Sequence, residues 1–308
     1  MAPHILVCGS LAIDQLLRFK GSFAQYQNDF QVEALNASLP IHEYRTCFGG
    51  CGGNISFGVA SLGLPVTLLS HAGLDFEAGY RDHLNACGVN CEFIAVSASN
   101  PFSARCTIIS DDHGNQITGF YPGDAPASER KMPSQLPNIA DISFAILGPE
   151  EPSLMIAQAH DLTRLGLPFI FDPGQWVSKF SKAELLETMA LATYTIGNAH
   201  EIAVITATLG IQVSELGQVA STMLITQGPE GIDILENDDI QRIPAIEVAE
   251  VNDATGTGDA FRAGLIYGLA KGFSLEHAAD LGCRVAHIAL QSTSPQDYVI
   301  DLKNLNLE

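Results

Sequence analysis

Basic residues are scarce in this 308-residue chain: 15 Lys and Arg stand against 35 Asp and Glu, a net charge of −20. Nucleic acid and anionic membrane surfaces are gripped through Lys and Arg, so neither is expected as a main partner; the acidity reads as solubility. Long apolar runs are missing as well. No stretch approaches the roughly 18 uninterrupted apolar residues that a membrane-spanning helix requires. Met1-Ala-Pro-His-Ile-Leu-Val-Cys-Gly9 has no basic n-region, so it reads as a first β-strand and the expected location is the cytoplasm. The seven cysteines, Cys8, Cys47, Cys51, Cys87, Cys91, Cys106 and Cys283, contain no C-x-x-C pair. Free thiols in a reducing compartment are expected in preference to zinc or disulfides.

What the chain does have is a core: 46% of its residues are hydrophobic and 16% charged. Short β-branched apolar runs alternate with longer amphipathic stretches, the pattern of β-α-β units and a mostly parallel sheet covered on both faces. Strands are expected at His4–Cys8, Val66–His71, Phe144–Leu147, Phe169–Asp172, Tyr194–Gly197 and Met223–Thr226. Helices are expected at Ile55–Leu62, Gly79–Cys87, Ser153–Leu165, Lys182–Leu191, Glu201–Leu209, Asp259–Ala270 and Leu275–Leu290. The fold class is therefore α/β, a three-layer α-β-α core. Residues 15–48 and 100–123 break the alternation with β-forming aromatics (Phe19, Phe23, Tyr26, Phe30; Phe102, Phe120, Tyr121) and the turn Asp111-Asp-His-Gly-Asn115. They read as a small separate β-sheet, leaving 1–14, 49–99 and 124–308 for the core. Glu236-Asn-Asp-Asp239 reads as a hairpin turn.

Two glycine-rich stretches carry the chemistry. In Asn252-Asp-Ala-Thr-Gly-Thr-Gly-Asp-Ala-Phe-Arg-Ala-Gly264, small residues run straight into a helical pattern. Gly256 and Gly258 free the backbone there, so successive amides at the helix start can face one anion. Asp259 falls in the first helical turn, beside that cradle, where helix capping alone is an equally good account of it. No glycine precedes the Lys-Ser/Thr pair of a P-loop, and Phe261 stands where a dinucleotide fingerprint needs its third glycine. His200-Glu201 is followed by Val204 where a zincin needs its second His. The other stretch, Phe48-Gly-Gly-Cys-Gly-Gly-Asn-Ile55, lets a ligand approach bare backbone. Asn54 there can donate to and accept from the hydroxyls of a polyol, the alternative being a tight strand-to-helix turn with an Asn cap.

Together, Gly49-Gly-Cys-Gly-Gly-Asn54 and Asp253-Ala-Thr-Gly-Thr-Gly-Asp259 resemble the two signatures of the ribokinase-like (PfkB) carbohydrate and nucleoside kinases, in the right order. Asn198-Ala-His-Glu201 is similar to that family's N-x-x-E motif. The resemblance runs from Gly9 to about Leu290, and the two β-rich insertions match the family's lid. It implies Asp259 as general base, with the amides of Gly256, Thr257 and Gly258 as anion hole. It implies that Asp14, at the end of the first strand, binds substrate hydroxyls with Gly50 and Asn54. Asn198 and Glu201 would act on Mg2+ and the triphosphate of ATP, Glu201 through water, and Thr226, Gly228 and Gly231 would lie along the nucleotide. Asp253 and Thr255 match positions that hold a monovalent cation such as K+ in several relatives.

Cys51 replaces the Lys usual in sugar-specific members, and Gly53 the commoner Ala. Arg262, Asn115-Gln-Ile-Thr-Gly-Phe-Tyr-Pro-Gly123 and Asp172-Pro-Gly-Gln175 look more like the nucleoside branch. The lid aromatics suit a purine ring, or alternatively pack the lid onto the core. The expected activity is ATP-dependent phosphorylation of the 5′-hydroxyl of adenosine or a related nucleoside, by a monomer or homodimer. A fructose or ribose kinase and a non-catalytic nucleoside sensor are the alternatives.

Overall fold

The computed structural model describes residues 2–25, 38–113, 115–123, 130–237, 239–248 and 254–305. Tyr26, Phe30 and Asp253 lie outside them. In chain order the elements are β1 (His4–Cys8), β2 (Ala12–Phe19), β3 (Ile41–Gly49), α1 (Cys51–Ser61), β4 (Val66–Ala72), α2 (Tyr80–Ala86), β5 (Val89–Asn90), β6 (Ile94–Val96), β7 (Ala104–Ser110) and β8 (Gln116–Tyr121). There follow β9 (Ile142–Leu147), α3 (Pro152–Leu165), β10 (Phe169–Phe171), α4 (Lys182–Leu191), β11 (Tyr194–Asn198), α5 (Ala199–Leu209), β12 (Met223–Thr226), β13 (Ile232–Glu236), β14 (Asp239–Ile243), α6 (Thr257–Ala270) and α7 (Leu275–Leu290).

The apolar runs form a sheet ordered β14-β13-β12-β11-β10-β9-β1-β4-β5, with β6 also paired to β4. Its strands are parallel from β4 through β12, and β13 and β14 return antiparallel around the Glu236–Asp239 turn. Side chains alternate across the sheet. Ile5 and Val7 join the core beneath α1, α6 and α7, whereas Leu6 and Cys8 join the core beneath α3, α4 and α5. That period of two makes three layers. Ile5 and Leu6, both fully buried, each contribute about 1.5–3 kcal/mol through burial alone.

A second sheet, ordered β3-β2-β7-β8, is built from the two β-rich stretches. Asp14 belongs to it. The resemblance places this residue at the end of the first strand, but β1 stops at Cys8, and Asp14 sits inside β2, opposite Cys47 on β3 and Cys106 on β7. Only Gly9, Ser10 and Leu11 separate the two strands. β8 is exposed along its length, with Phe120 and Tyr121 in solvent; exposed Phe102 lies under the Arg105 guanidinium, 4.6 Å from its ring centre. All seven cysteines are free thiols. Among the described residues no helix is long and apolar enough to cross a membrane.

Candidate active site

Helices α1 and α6 pack side by side and bring their N-termini together. Each begins at a glycine no other residue replaces easily. Gly50, the N-cap of α1, has φ +85°, and a Cβ there would stand 2.6 Å from the Ala12 nitrogen. Gly256, the N-cap of α6, has φ +76°, and its Cβ would meet Pro295 at 2.6 Å.

Asp259 occupies the first turn of α6, partly buried between these helix starts. Asn54 Nδ2 donates to its Oδ2 at 2.8 Å, and the Cys51 thiol also donates to its carboxylate. Desolvation dominates its chemistry and lifts its pKa to about 6, against the opposing pull of the Arg262 guanidinium and the Asn54 bond. Arg262 lies three residues further, on the same helix face. It grips Asp172 with two bonds, Nε to Oδ2 at 2.5 Å and Nη2 to Oδ1 at 3.0 Å, and donates from Nη1 to the Gly258 carbonyl at 3.0 Å. A carboxylate whose pKa is moved toward neutrality by burial, within reach of a cleft, suits proton transfer.

The first amides of a helix have no partner within it. In α6 these belong to Thr257, Gly258 and Asp259, since the first helical bond runs from the Ala260 amide to the Gly256 carbonyl at 2.9 Å. The expected three-amide cradle is thus partly engaged: the Thr257 N–H donates to the Ala254 carbonyl at 3.2 Å. A cavity of about 790 Å3 opens beside it, lined by Asn198, Thr226, Gly228, Gly231, Thr257 and Gly258, with Ile246, Val248, Ala286 and Leu290 forming an apolar wall. Four residues expected along the nucleotide, Asn198, Thr226, Gly228 and Gly231, therefore share one cavity with the start of α6. Glu201 is set differently. Asn198 Oδ1 accepts from the Glu201 amide at 2.9 Å, and Glu201 Oε2 accepts from the Asn198 amide at 2.7 Å, a reciprocal capping box that starts α5. Burial and nearby Asp172 push the Glu201 pKa upward.

Asp14 is buried and lies against Gly49, where a Cβ would stand 2.0 Å from Oδ2. Asp14, Gly50 and Asn54 thus surround the start of α1. Thr255 sits in the turn before α6, while its expected companion Asp253 is outside the described residues. The sequence motifs leave out two groups, Tyr80, whose hydroxyl donates to the Gly49 carbonyl at 2.7 Å, and Gln296, and they name Asp172 and Arg262 without pairing them. The three-residue spacing of Asp259 and Arg262 signals that these two share a helix face; for Tyr80, Gln296 and the Asp172 pairing the sequence carries no such signal.

Gly53 has a packing reason. A Cβ there would lie 2.0 Å from the Tyr80 hydroxyl, which fills the space an Ala methyl would need. Gly53→Ala is expected to destabilise the fold by about 1–3 kcal/mol. In a urea double-mutant cycle its cost should fall in a Tyr80→Phe background; equal costs in both backgrounds would remove the Tyr80 hydroxyl as the cause.

The model of the pfkB family carbohydrate kinases matches residues 19–301, nearly the whole chain. The chain belongs to this family. A pfkB-family fold accounts for both sheets and for glycine-led helices meeting at one site. Its most similar relatives include the nucleoside kinase of Burkholderia thailandensis in complex with inosine, 32% identical with a TM-score of 0.88, covering 98% of this chain and 95% of that one. The ligand-free form of that enzyme gives a TM-score of 0.79, again over 98% of each chain. A nucleoside kinase of Methanocaldococcus jannaschii is 29% identical over 272 residues, 87% of this chain and 88% of its own length.

Proposed function

We propose that this pfkB-family kinase transfers the terminal phosphoryl group of ATP to the 5′-hydroxyl of a nucleoside, adenosine or a related purine nucleoside. The observation that carries the reading is Asp259, a carboxylate with a pKa of about 6 at the start of α6, held by Asn54 beside a nucleotide-sized cavity. The Burkholderia relative is described with inosine and with ADP and inosine together, at 32% and 33% identity over 98% of this chain.

Phosphoryl transfer asks a protein for positioning, charge neutralisation and one base. Asp259 takes the proton of the attacking hydroxyl as its oxygen bonds to phosphorus and the bond to the ADP oxygen breaks. The amides of Gly256, Thr257 and Gly258 receive the charge on the transferring group, Thr257 leaving Ala254 to do so. Asp14, Gly50 and Asn54 hold the ribose hydroxyls, Asn54 with the second hydrogen of its amide. Thr226, Gly228 and Gly231 lie along the nucleotide with Asn198. Mg2+ supplies further charge neutralisation when bound with the triphosphate. Glu201 fits it through water, because its carboxylate is partly buried and already fixed at one oxygen by the capping box. Thr255 with Asp253 is the place for a monovalent cation. Residues 15–48 and 100–123 act as the lid, a reading supported by the separate sheet β3-β2-β7-β8 that their described strands form. Use of ATP supports a cytoplasmic location.

The test is ADP release across a panel of nucleosides and sugars. Adenosine or inosine is expected to exceed ribose and fructose in kcat/KM by about 100-fold or more, because a site built around a base leaves polar groups unpaired when only a sugar enters. Activity confined to free sugars would overturn the nucleoside assignment. Nucleoside binding with no ADP release from any substrate would overturn the kinase.

A further inference from the structure

We propose that Gln296, a residue outside every motif, is a positioning residue that sets Asp259 by orienting Asn54; this rests on the reading of Asp259 as base. Gln296 lies in the irregular segment after α7 and is 5% exposed. Its Nε2 is 2.8 Å from Asn54 Oδ1 and 2.7 Å from the Tyr80 hydroxyl. A side-chain amide has a donor end and an acceptor end, and which one faces a neighbour is decided by the network around it.

Here the network has a fixed anchor. The Gly49 carbonyl can only accept, so Tyr80 spends its one hydroxyl hydrogen on it, at 2.7 Å. The Tyr80 oxygen must then accept from Gln296, which turns the Gln296 N–H2 inward. Its second hydrogen goes to Asn54 Oδ1, and that leaves the Asn54 N–H2 facing Asp259 Oδ2 at 2.8 Å. Each orientation compels the next, from a backbone carbonyl to the carboxylate. Gln296 Oε1, by contrast, is buried with no hydrogen-bond partner. The side chain is held for its donors.

The consequence is chemical. A donor aimed at a carboxylate favours its charged, proton-accepting form, whereas a reversed Asn54 would aim Oδ1 at Asp259 and favour a base already protonated. The other groups facing Asp259 are Arg262 on its own helix, Asp172 after β10, Cys51 on α1, Tyr80 on α2, and Tyr298 in the C-terminal segment; of these Gln296 bonds Tyr80, which keeps its own bond to the Gly49 carbonyl. The Asn54 amide is therefore the variable element.

The experiment is the pH profile of kcat/KM for adenosine and inosine with ATP, in the wild type, Gln296→Met, Gln296→Lys and Asp259→Asn, with melting temperature and ADP affinity as controls. Gln296→Met removes both donors at similar volume. It is expected to move the acidic limb up by about one pH unit, which is about tenfold in kcat/KM below the limb, with ADP affinity unchanged. Gln296→Lys restores N–H donors and is expected to leave the limb at or below its wild-type position. An acidic limb of Gln296→Met that overlays the wild type, or a rise with Lys equal to that with Met, overturns the proposal. If the Met variant does not fold, the Lys variant decides alone: a folded enzyme with a raised limb overturns it. An Asp259→Asn enzyme that keeps its turnover overturns the base reading as well. An inactive Asp259→Asn beside an unmoved Gln296→Met limb overturns only the role of Gln296.

Discussion

Asp259→Asn is expected to lower kcat by about 10²- to 10⁴-fold, the usual worth of a positioned base, and at the same time to make the folded chain more stable. The two effects share a cause. Burial raises the Asp259 pKa from 3.8 in an unfolded chain to about 6 in the folded one, so between those values the folded state binds more protons than the unfolded state. Stability therefore falls as pH rises through that window and stays lower above it. An ionised Asp259 at pH 7 costs the fold on the order of 2–3 kcal/mol, a cost that Asn does not carry. In urea denaturation the variant should exceed the wild type at pH 7, and the difference should shrink as pH falls through that window and vanish toward pH 3, where the carboxyl is protonated in both states. The same ionisation should appear in the wild-type rate, with kcat/KM falling below about pH 6. Equal stability at both pH values would show that the carboxylate is well solvated. An unchanged kcat would remove it from the chemistry.

The sequence was most legible where local signals and tertiary packing agree. Lys182–Leu191 and Leu275–Leu290 form helices at the expected bounds, because Ser181 and Ser274 accept from Glu184 and His277 amides and fix each start. Strands His4–Cys8 and Met223–Thr226 likewise keep their bounds. Helix α1 instead begins at Cys51, four residues before the periodic apolar pattern at Ile55. Glycines resist helix by propensity, but Gly52 packs on Gly9, where a Cβ would stand 2.6 Å from the Gly9 carbonyl carbon, so close packing overrides propensity. Asp14 was assigned to the wrong strand because the chain passes between sheets without a strong turn signal. The site was half visible. Glycine runs, Asn54 and Asp259 stand in motifs, and the structure sets Asn54 against Asp259. Gln296 lies in irregular chain 242 residues from Asn54, and no periodicity or spacing encodes that contact. Asp172 and Arg262, 90 residues apart, meet because β10 ends beside the first turns of α6.

Arg262→Met is expected to destabilise the protein by about 3–5 kcal/mol, the range for stripping one partner from a buried ion pair. Asp172 is 1% exposed and Arg262 7%, so the change leaves a carboxylate in the interior without its two charge-assisted bonds and takes a donor from the Gly258 carbonyl at the start of α6. It also takes the nearest cation from Asp259, where the Arg262 charge opposes the upward pull of burial. The acidic limb of kcat/KM should therefore rise above about pH 6. The double variant Arg262→Met with Asp172→Leu separates these roles. Replacing both charges with apolar groups removes the stranded carboxylate, so most of the stability should return. The limb should remain above wild type, although below that of the single variant, because Asp172 itself pushes the Asp259 pKa upward and is now gone. Urea denaturation and pH profiles on the same three proteins check both halves. Recovered stability with a limb still raised assigns the pair two functions, one in folding and one in tuning the base. A single variant whose limb does not move would mean that Asp172 neutralises Arg262 so completely that Asp259 feels neither.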